Sequence, residues 1–390
     1  MPVQNRIADF SPELTAWRQD LHAHPELGFA EHRTSEIVAE KLAGWGIEVT
    51  RGIAGTGLVG TLRNGEGPSI GLRADMDCLE MNEANDVPYR SETPNRMHAC
   101  GHDGHTTMLL GAARYLAETR NFSGTVHFIF QPAEEGGGGG RVMVEEGLFE
   151  RFPCDMVFGA HNDTSLAVGV MQAVEGVVSA MSDRFWVRIH GRGGHAARPH
   201  GAIDPVVVGS HIVVALQTIV ARRVDPAESA VLSITQFHAG SAGNVIAEEA
   251  VLNGTVRTLK PEVRDTVERL MGEIVEATAR AHGASAVLEY ERGYPSVVNA
   301  PEPTRRAVQA AETLLGRGKI VTATPPRMGG EDFSYMALAV PGCFVRIGQR
   351  NGERGATPAH HPRYDFNDEI LPIGASFWAT LVEQELPRAP

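Results

Sequence analysis

Apolar residues recur along the first third of the chain with two different periods. Residues 11–44 carry them at helical spacing, with Ser11-Pro12-Glu13 as a start signal and Gly44 near the stop. His24-Pro25-Glu26 predicts a break inside that stretch, because the residue before a proline avoids helical backbone angles. From Glu48 the pattern changes to short β-like runs at 57–62 and 69–73, with Gly65 and Gly67 at a turn. Helical spacing returns over 105–120, where Leu109, Leu110, Ala113 and Leu116 share a face. Residues 125–130 and 155–160 are strongly apolar, as strands buried on both faces are. Glycines 136–140 end the first of these, and 141–149 reads as a second short helix. Helices alternating with buried strands predict an α/β domain with a mainly parallel sheet.

Around Met181 the pattern shifts. Residues 184–190 alternate, with Phe185, Val187 and Ile189 on one face. A helix over 205–222 follows, then strands at 230–237 and 250–257. A long amphipathic helix covers 261–281, stopped by Gly283, and a strand at 286–292 closes the region. The order β-α-β-β-α-β predicts a ferredoxin-like α+β insertion of about 110 residues, an ordinary size for a small domain. The α/β pattern resumes with a helix at 304–315 and a strand at 343–347. The expected organisation is a catalytic domain in two parts, 1–181 and 295–390, with 182–294 inserted between them.

Composition narrows the function classes. A chain of 390 residues is too long for one ordinary core. With 35 basic and 48 acidic residues the net charge is −13, which argues against a nucleic-acid or anionic-membrane surface. Residues 1–13 lack a basic region followed by an apolar stretch, so no signal peptide is expected. The apolar stretch 205–220 is interrupted by Ser210, His211, Gln217 and Thr218 and reads as too short for a bilayer. Four cysteines without a Cys-x-x-Cys pair suggest a reducing compartment, with cytoplasm the expected location.

Two short stretches carry the chemistry: Met97-His98-Ala99-Cys100-Gly101-His102-Asp103 and Gln131-Pro132-Ala133-Glu134-Glu135-Gly136. Cys100 and His102 sit two apart in a predicted loop just before a helix, where both side chains can turn to one point. Glu135 and His161 fall at the carboxyl ends of predicted strands, where open α/β sheets place their ligands. His360-His361-Pro362 offers a further imidazole. Taken singly, each has an ordinary reading: a buried cysteine behaves as a small hydrophobe, and paired glutamates are as readily a solvated loop as a site. Together, thiolate, imidazole and carboxylate make a metal site the better explanation, with zinc or manganese suited to the donors.

These stretches, with Leu21-His22-Ala23-His24-Pro25-Glu26-Leu27, Arg73-Ala74-Asp75-Met76-Asp77, Gly193-Gly194-His195-Ala196-Ala197, Gly243-Asn244-Val245-Ile246, Gly254-Thr255-Val256-Arg257-Thr258, Gly329-Gly330-Glu331-Asp332-Phe333 and Tyr364-Asp365-Phe366-Asn367-Asp368, run through the chain in a characteristic order. The sequence resembles the bacterial and plant N-acyl-amino-acid amidohydrolases, which include hippurate hydrolases and auxin–amino-acid conjugate hydrolases. They form a branch of the aminoacylase and carboxypeptidase-like dinuclear metallopeptidases. The resemblance implies a zinc-peptidase-like catalytic domain and an inserted lid and dimerisation domain. It implies two divalent ions per subunit bound by Cys100, His102, Glu135, His161 and His361, with Glu134 as general base and Asp77 orienting a ligand. His195 would stabilise the tetrahedral oxyanion, commonly from a partner subunit, in a homodimer or homotetramer. Asn244, Arg257 and Gly330 would meet the substrate, the first two at its α-carboxylate.

The chain departs from the family's pattern in three places. Asn162-Asp163-Thr164 follows His161 where a tryptophan-proline pair is usual, Ala247 replaces a proline, and Leu79-Glu80 replaces leucine-proline. None removes a residue of the implied ligand set or the base. The expectation is a metal-dependent amidohydrolase that takes small N-acyl-L-amino acids, hippurate-like ones first. Two alternatives stay open at this point: a metallo-dipeptidase or aminopeptidase of the same superfamily, and a non-catalytic metal-binding protein on the same fold.

Overall fold

The computed structural model describes residues 4–388. The break at His24-Pro25-Glu26 separates α2 (Ser11–Ala23) from α3 (His32–Gly44), and a short α1 (Asn5–Asp9) precedes both. Strands β1 (Glu48–Ile53), β2 (Gly57–Asn64) and β3 (Ser69–Asp75) lead to α4 (His102–Thr119) and β4 (Gly124–Gln131). Next come α5 (Gly139–Glu145), α6 (Leu148–Arg151), β5 (Met156–Ala167), β6 (Met171–Gln172) and β7 (Gly176–Val177). The middle of the chain forms β8 (Met181–His190), β9 (Gly194–His195), α7 (Pro205–Arg222), β10 (Ala230–Ala239) and β11 (Val245–Ile246). It continues with β12 (Glu249–Thr258), α8 (Pro261–Ala281) and β13 (Ser285–Tyr294). The last part holds β14 (Val298–Asn299), α9 (Pro301–Leu315), β15 (Ile320–Val321), α10 (Phe333–Ala339), β16 (Gly342–Arg350) and α11 (Leu371–Glu385).

The chain divides into two compact units. One runs to Val178 and takes in Val297–Pro325 and the chain from Asp332 on; the other is Ser179–Ser296 with Pro326–Glu331. The first unit is built on an eight-stranded sheet of order β1-β2-β4-β3-β5-β16-β6-β15. Its four central strands, β4, β3, β5 and β16, are parallel, while β1–β2, β2–β4 and β16–β6 pair antiparallel. Alternate residues of β2 and of the central strands serve two cores. Leu58, Phe128, Phe158 and Val345 join Leu14, Val38, Leu109, Ala310 and Phe377 from α2, α3, α4, α9 and α11. Val59, Ile129, Val157 and Phe344 join Met143, Leu148 and Met336 from α5, α6 and α10. A strand buried on both faces must be apolar throughout, which is why these runs show so little alternation.

Several boundaries differ from the sequence pattern. Helix α4 begins at His102 rather than 105, so His102 opens the helix instead of preceding it in a loop. Strand β5 does not stop at Ala160: β16 stays paired with it as far as Ala167, after its last rung to β3 at Gly159. His161 therefore lies within the strand, past the point where one neighbour has left. The single helix expected over 141–149 is two, divided at Gly147 with φ +82°. Helix α11 carried no readable stripe, because Leu371, Ile373, Phe377, Trp378, Leu381 and Val382 bury it nearly all round.

The second unit has an antiparallel four-stranded sheet of order β10-β12-β8-β13, with α7 and α8 over one face. In chain order β8-α7-β10-β12-α8-β13, this is the ferredoxin-like arrangement. Phe185, Val187 and Ile189 point into its core against Val208, Ile212 and Leu216 of α7 and Leu270 and Val275 of α8. By length and composition α7 is apolar enough to cross a membrane, contrary to the expectation for 205–220. Its buried residues Val208, Ile212, Leu216 and Ile219 recur at helical spacing and belong to this core.

Candidate metal centre

The first unit gathers its candidate metal-binding side chains at the carboxyl ends of the parallel strands. Gly101 precedes α4 with φ +97°, and a Cβ there would meet Asn162 Oδ1 at 2.4 Å and the Tyr364 hydroxyl at 2.6 Å. Only glycine fits that left-handed, close-packed position, and it turns Cys100 and His102 toward the same side. Cys100 Sγ lies 3.3 Å from His161 Nε2. Ligand atoms lie within 4.8 Å of one another in each of three groups: Cys100, His102 and His161; Cys100, Glu135 and His360; and His102, Glu134 and Glu135.

Hydrogen bonds fix which ring nitrogen faces the centre. His102 Nδ1 donates to the Asp77 carbonyl at 2.9 Å and lies 3.2 Å from Asp77 Oδ1. Its Nε2 is buried without a hydrogen-bond partner. His161 Nδ1 donates to the Asn162 carbonyl at 2.7 Å, which leaves Nε2 directed at Cys100. A bond at one imidazole nitrogen sets the lone pair on the other, as metal-binding histidines require. An orphaned buried nitrogen, a second presented nitrogen, a thiol and adjacent carboxylates form a donor set that fits two divalent ions.

The further imidazole that the structure brings to these donors is His360, not His361. His361, the imidazole implied by the family pattern, is exposed, accepts a hydrogen bond at Nδ1 from the Arg363 N–H and joins none of the three groups. His360 Nε2 stands 3.1 Å from Glu135 Oε1 instead. Its backbone has φ +65°, and its N–H donates to the Ala99 carbonyl, next to Cys100. The two rings leave this turn in different directions, and the backbone bond to Ala99 holds His360 as the one that faces Glu135. Bonds to the Cys100 thiol and Glu135 raise the His360 pKa to about 10 despite partial burial.

Glu134 and Glu135 stand on a turn at the end of β4, and both are held from below. Asp77, nearly fully buried, accepts the Glu134 N–H at Oδ1 (3.0 Å) and the Glu135 N–H at Oδ2 (2.9 Å). Asp77 thereby links His102 to the two carboxylates. Behind the centre, Arg18 ion-pairs with Asp368, and His22 sits 2.8 Å from Asp103 and 3.3 Å from Glu83, all buried or nearly so. Nothing in the sequence pattern paired Asp103 with His22 or Arg18 with Asp368, because pairing across 81 and 350 residues is invisible to local spacing.

The remaining candidates belong to the second unit. His195 lies on β9, paired with Val245 of β11, and its Nδ1 accepts the Ala197 N–H at 3.1 Å. The Asn244 carbonyl accepts the Ala196 N–H, so Asn244 and His195 share one ribbon. Arg257 pairs in register with Ser182, and a Cβ on Gly330 would meet the Ser182 Cβ at 2.9 Å. Arg257 and Gly330 are thus neighbours around Ser182, apart from the ribbon. Burial lowers the Arg257 pKa, with Asp183 opposing.

The model of peptidase family M20/M25/M40 matches residues 71–384. The chain belongs to this family. It is 40% identical over 376 residues to the hippurate hydrolase of Campylobacter jejuni subsp. jejuni serotype O:2, covering 96% of this chain and 97% of the relative. It is 37% identical to the IAA-amino acid hydrolase ILR1-like 4 of Arabidopsis thaliana, covering 97% and 87%. The crystal structure of the YXEP protein of Bacillus subtilis, a dinuclear metal binding peptidase from the M20 family, superposes with a TM-score of 0.82 at 34% identity, covering 97% and 99%. As a member of the M20 family, the protein is a hydrolase of amide or peptide bonds.

Proposed function

We propose that the protein hydrolyses the amide bond of N-acyl-L-amino acids, hippurate-like substrates first, to a carboxylic acid and a free amino acid. The observation that carries this reading is the buried Glu134 carboxylate beside the Cys100, His102, Glu135, His161 and His360 cluster, in a chain 40% identical to a hippurate hydrolase. Zinc or manganese ions bound by those five residues would polarise the acyl carbonyl and acidify a water. Glu134 accepts the proton of the attacking water; the water oxygen bonds to the acyl carbon, the C–N bond breaks, and Glu134 returns the proton to the departing nitrogen. Asp77 holds His102 and the Glu134–Glu135 turn in fixed relation, so that the base does not have to be ordered at the moment of reaction. As the family resemblance implies, His195 would supply a donor to the oxyanion from a partner subunit, and Asn244, Arg257 and Gly330 would meet the substrate, the guanidinium at its carboxylate.

The test is amine release from a panel of N-acyl-amino acids and free dipeptides, using reduced protein supplied with Mn²⁺ or Zn²⁺ and a Glu134→Gln variant. Acylated substrates should turn over, and the variant should lose about 100-fold or more. The relative described as a peptidase gives a second reading, in which the free α-amino group is recognised. Turnover confined to unblocked dipeptides would favour it.

A further inference from the structure

Glu31 has no place in the reading above, yet it is fully buried one residue before α3. Its Oε1 accepts the Ala133 N–H at 2.8 Å, and its Oε2 accepts the Thr56 hydroxyl at 2.5 Å. Ala133 is the residue before Glu134 and is held at φ +52°, a conformation that a side chain other than glycine's rarely adopts. Three successive N–H groups, of Ala133, Glu134 and Glu135, therefore point inward onto two buried carboxylates, Glu31 taking the first and Asp77 the other two. Gly136 N–H bonds back to the Glu134 carbonyl, and a Cβ on Gly28 would come within 2.8 Å of the Ala133 Cβ. With its inward donors taken, the turn has one orientation, and its two glutamate side chains leave it from a fixed base.

We infer that Glu31 is a positioning residue: by clamping Ala133 in the left-handed region it aims Glu134 and Glu135 into the centre. The inference rests on the reading of Glu134 as base and Glu135 as a metal-binding residue. A misplacement of about 1 Å at a catalytic group costs on the order of 100-fold in rate, which is the scale a slack turn would produce.

The test compares Glu31→Ala, Glu31→Gln and Gly28→Ala with the parent protein, measuring hippurate turnover and, independently, calorimetric titration of Mn²⁺ into metal-free protein. Glu31→Ala should lower kcat about 10- to 100-fold with KM within about twofold, and weaken Mn²⁺ binding about 10-fold. Glu31→Gln should keep both within about threefold, because its amide oxygen still accepts from Ala133 and its NH₂ can donate to the Thr56 oxygen. Gly28→Ala, whose Cβ would press on Ala133 at 2.8 Å and come only into ordinary contact with Asp77 Oδ2 at 3.7 Å, should reproduce the alanine result and stands in if Glu31→Ala does not fold. Folded Glu31→Ala protein with parental kcat and Mn²⁺ affinity would overturn the inference. So would a glutamine variant as impaired as the alanine one, since charge and not hydrogen-bonded placement would then be what matters. Glu134→Gln, run alongside, separates the two readings: if it retains turnover the base assignment fails, and the Mn²⁺ titration still judges Glu31 through Glu135.

Discussion

His360 and His361 are chemically the same residue one position apart, and the backbone alone distinguishes them. The Ala99 carbonyl takes the His360 N–H, and the positive φ that results sends this ring toward Glu135, while His361 turns to the Arg363 N–H. Their exchange in function is testable by titration. His360→Ala should weaken Mn²⁺ binding by more than the roughly 10- to 100-fold typical of removing an outer partner, and His361→Ala should leave it within error. Equal losses in the two variants would sink the assignment. The same logic explains why Cys100, His102, Glu134, Glu135 and His161 were legible in the sequence and Glu31 was not. The first five are reactive residue types beside glycines or strand ends. Glu31 is one acidic residue among many, and only its buried bond to Ala133 sets it apart.

At the scale of elements, α2 and α4 are joined behind the centre by buried charge rather than by apolar packing alone. His22 of α2 bonds Asp103 in the first turn of α4, and Glu83 approaches its other nitrogen. Burial opposes the imidazolium, but the bonds to Asp103 and Glu83 outweigh it and raise the His22 pKa to about 9. A pKa raised above the unfolded value means that the folded protein holds the proton more tightly. The stabilisation is therefore fully present below about pH 6.5 and is lost as pH rises through about 9. Urea unfolding at pH 6 and pH 9.5 should show a fall in stability of which on the order of 3 kcal/mol disappears in His22→Gln. A fall of the same size in the variant would show that other groups cause it. Because Asp103 follows His102 directly, this pair also anchors the helix end that presents the candidate metal-binding imidazole.

Over the whole molecule, two units with separate cores imply two cooperative transitions. The cluster lies in the first unit, so Mn²⁺ should raise only one of the two melting temperatures in differential scanning calorimetry, and a chelator should lower that one. A single transition that moves as a whole would contradict this. Local pattern was enough for the α/β and ferredoxin-like elements, since burying a helix stripe or a two-sided strand imposes its own period on the residues. It was enough also for the residue types of the candidate site, because thiolate, imidazole and paired carboxylate are a chemically restrictive set. It did not reveal α11, whose apolar surface is buried nearly all round and so has no polar stripe to show a period. Nor did it separate His360 from His361, or bring Glu31 to Ala133 and Asp77 to the Glu134–Glu135 turn. Those depend on contacts between residues 57 to more than 200 positions apart, and no local period encodes a distance that only the folded chain closes.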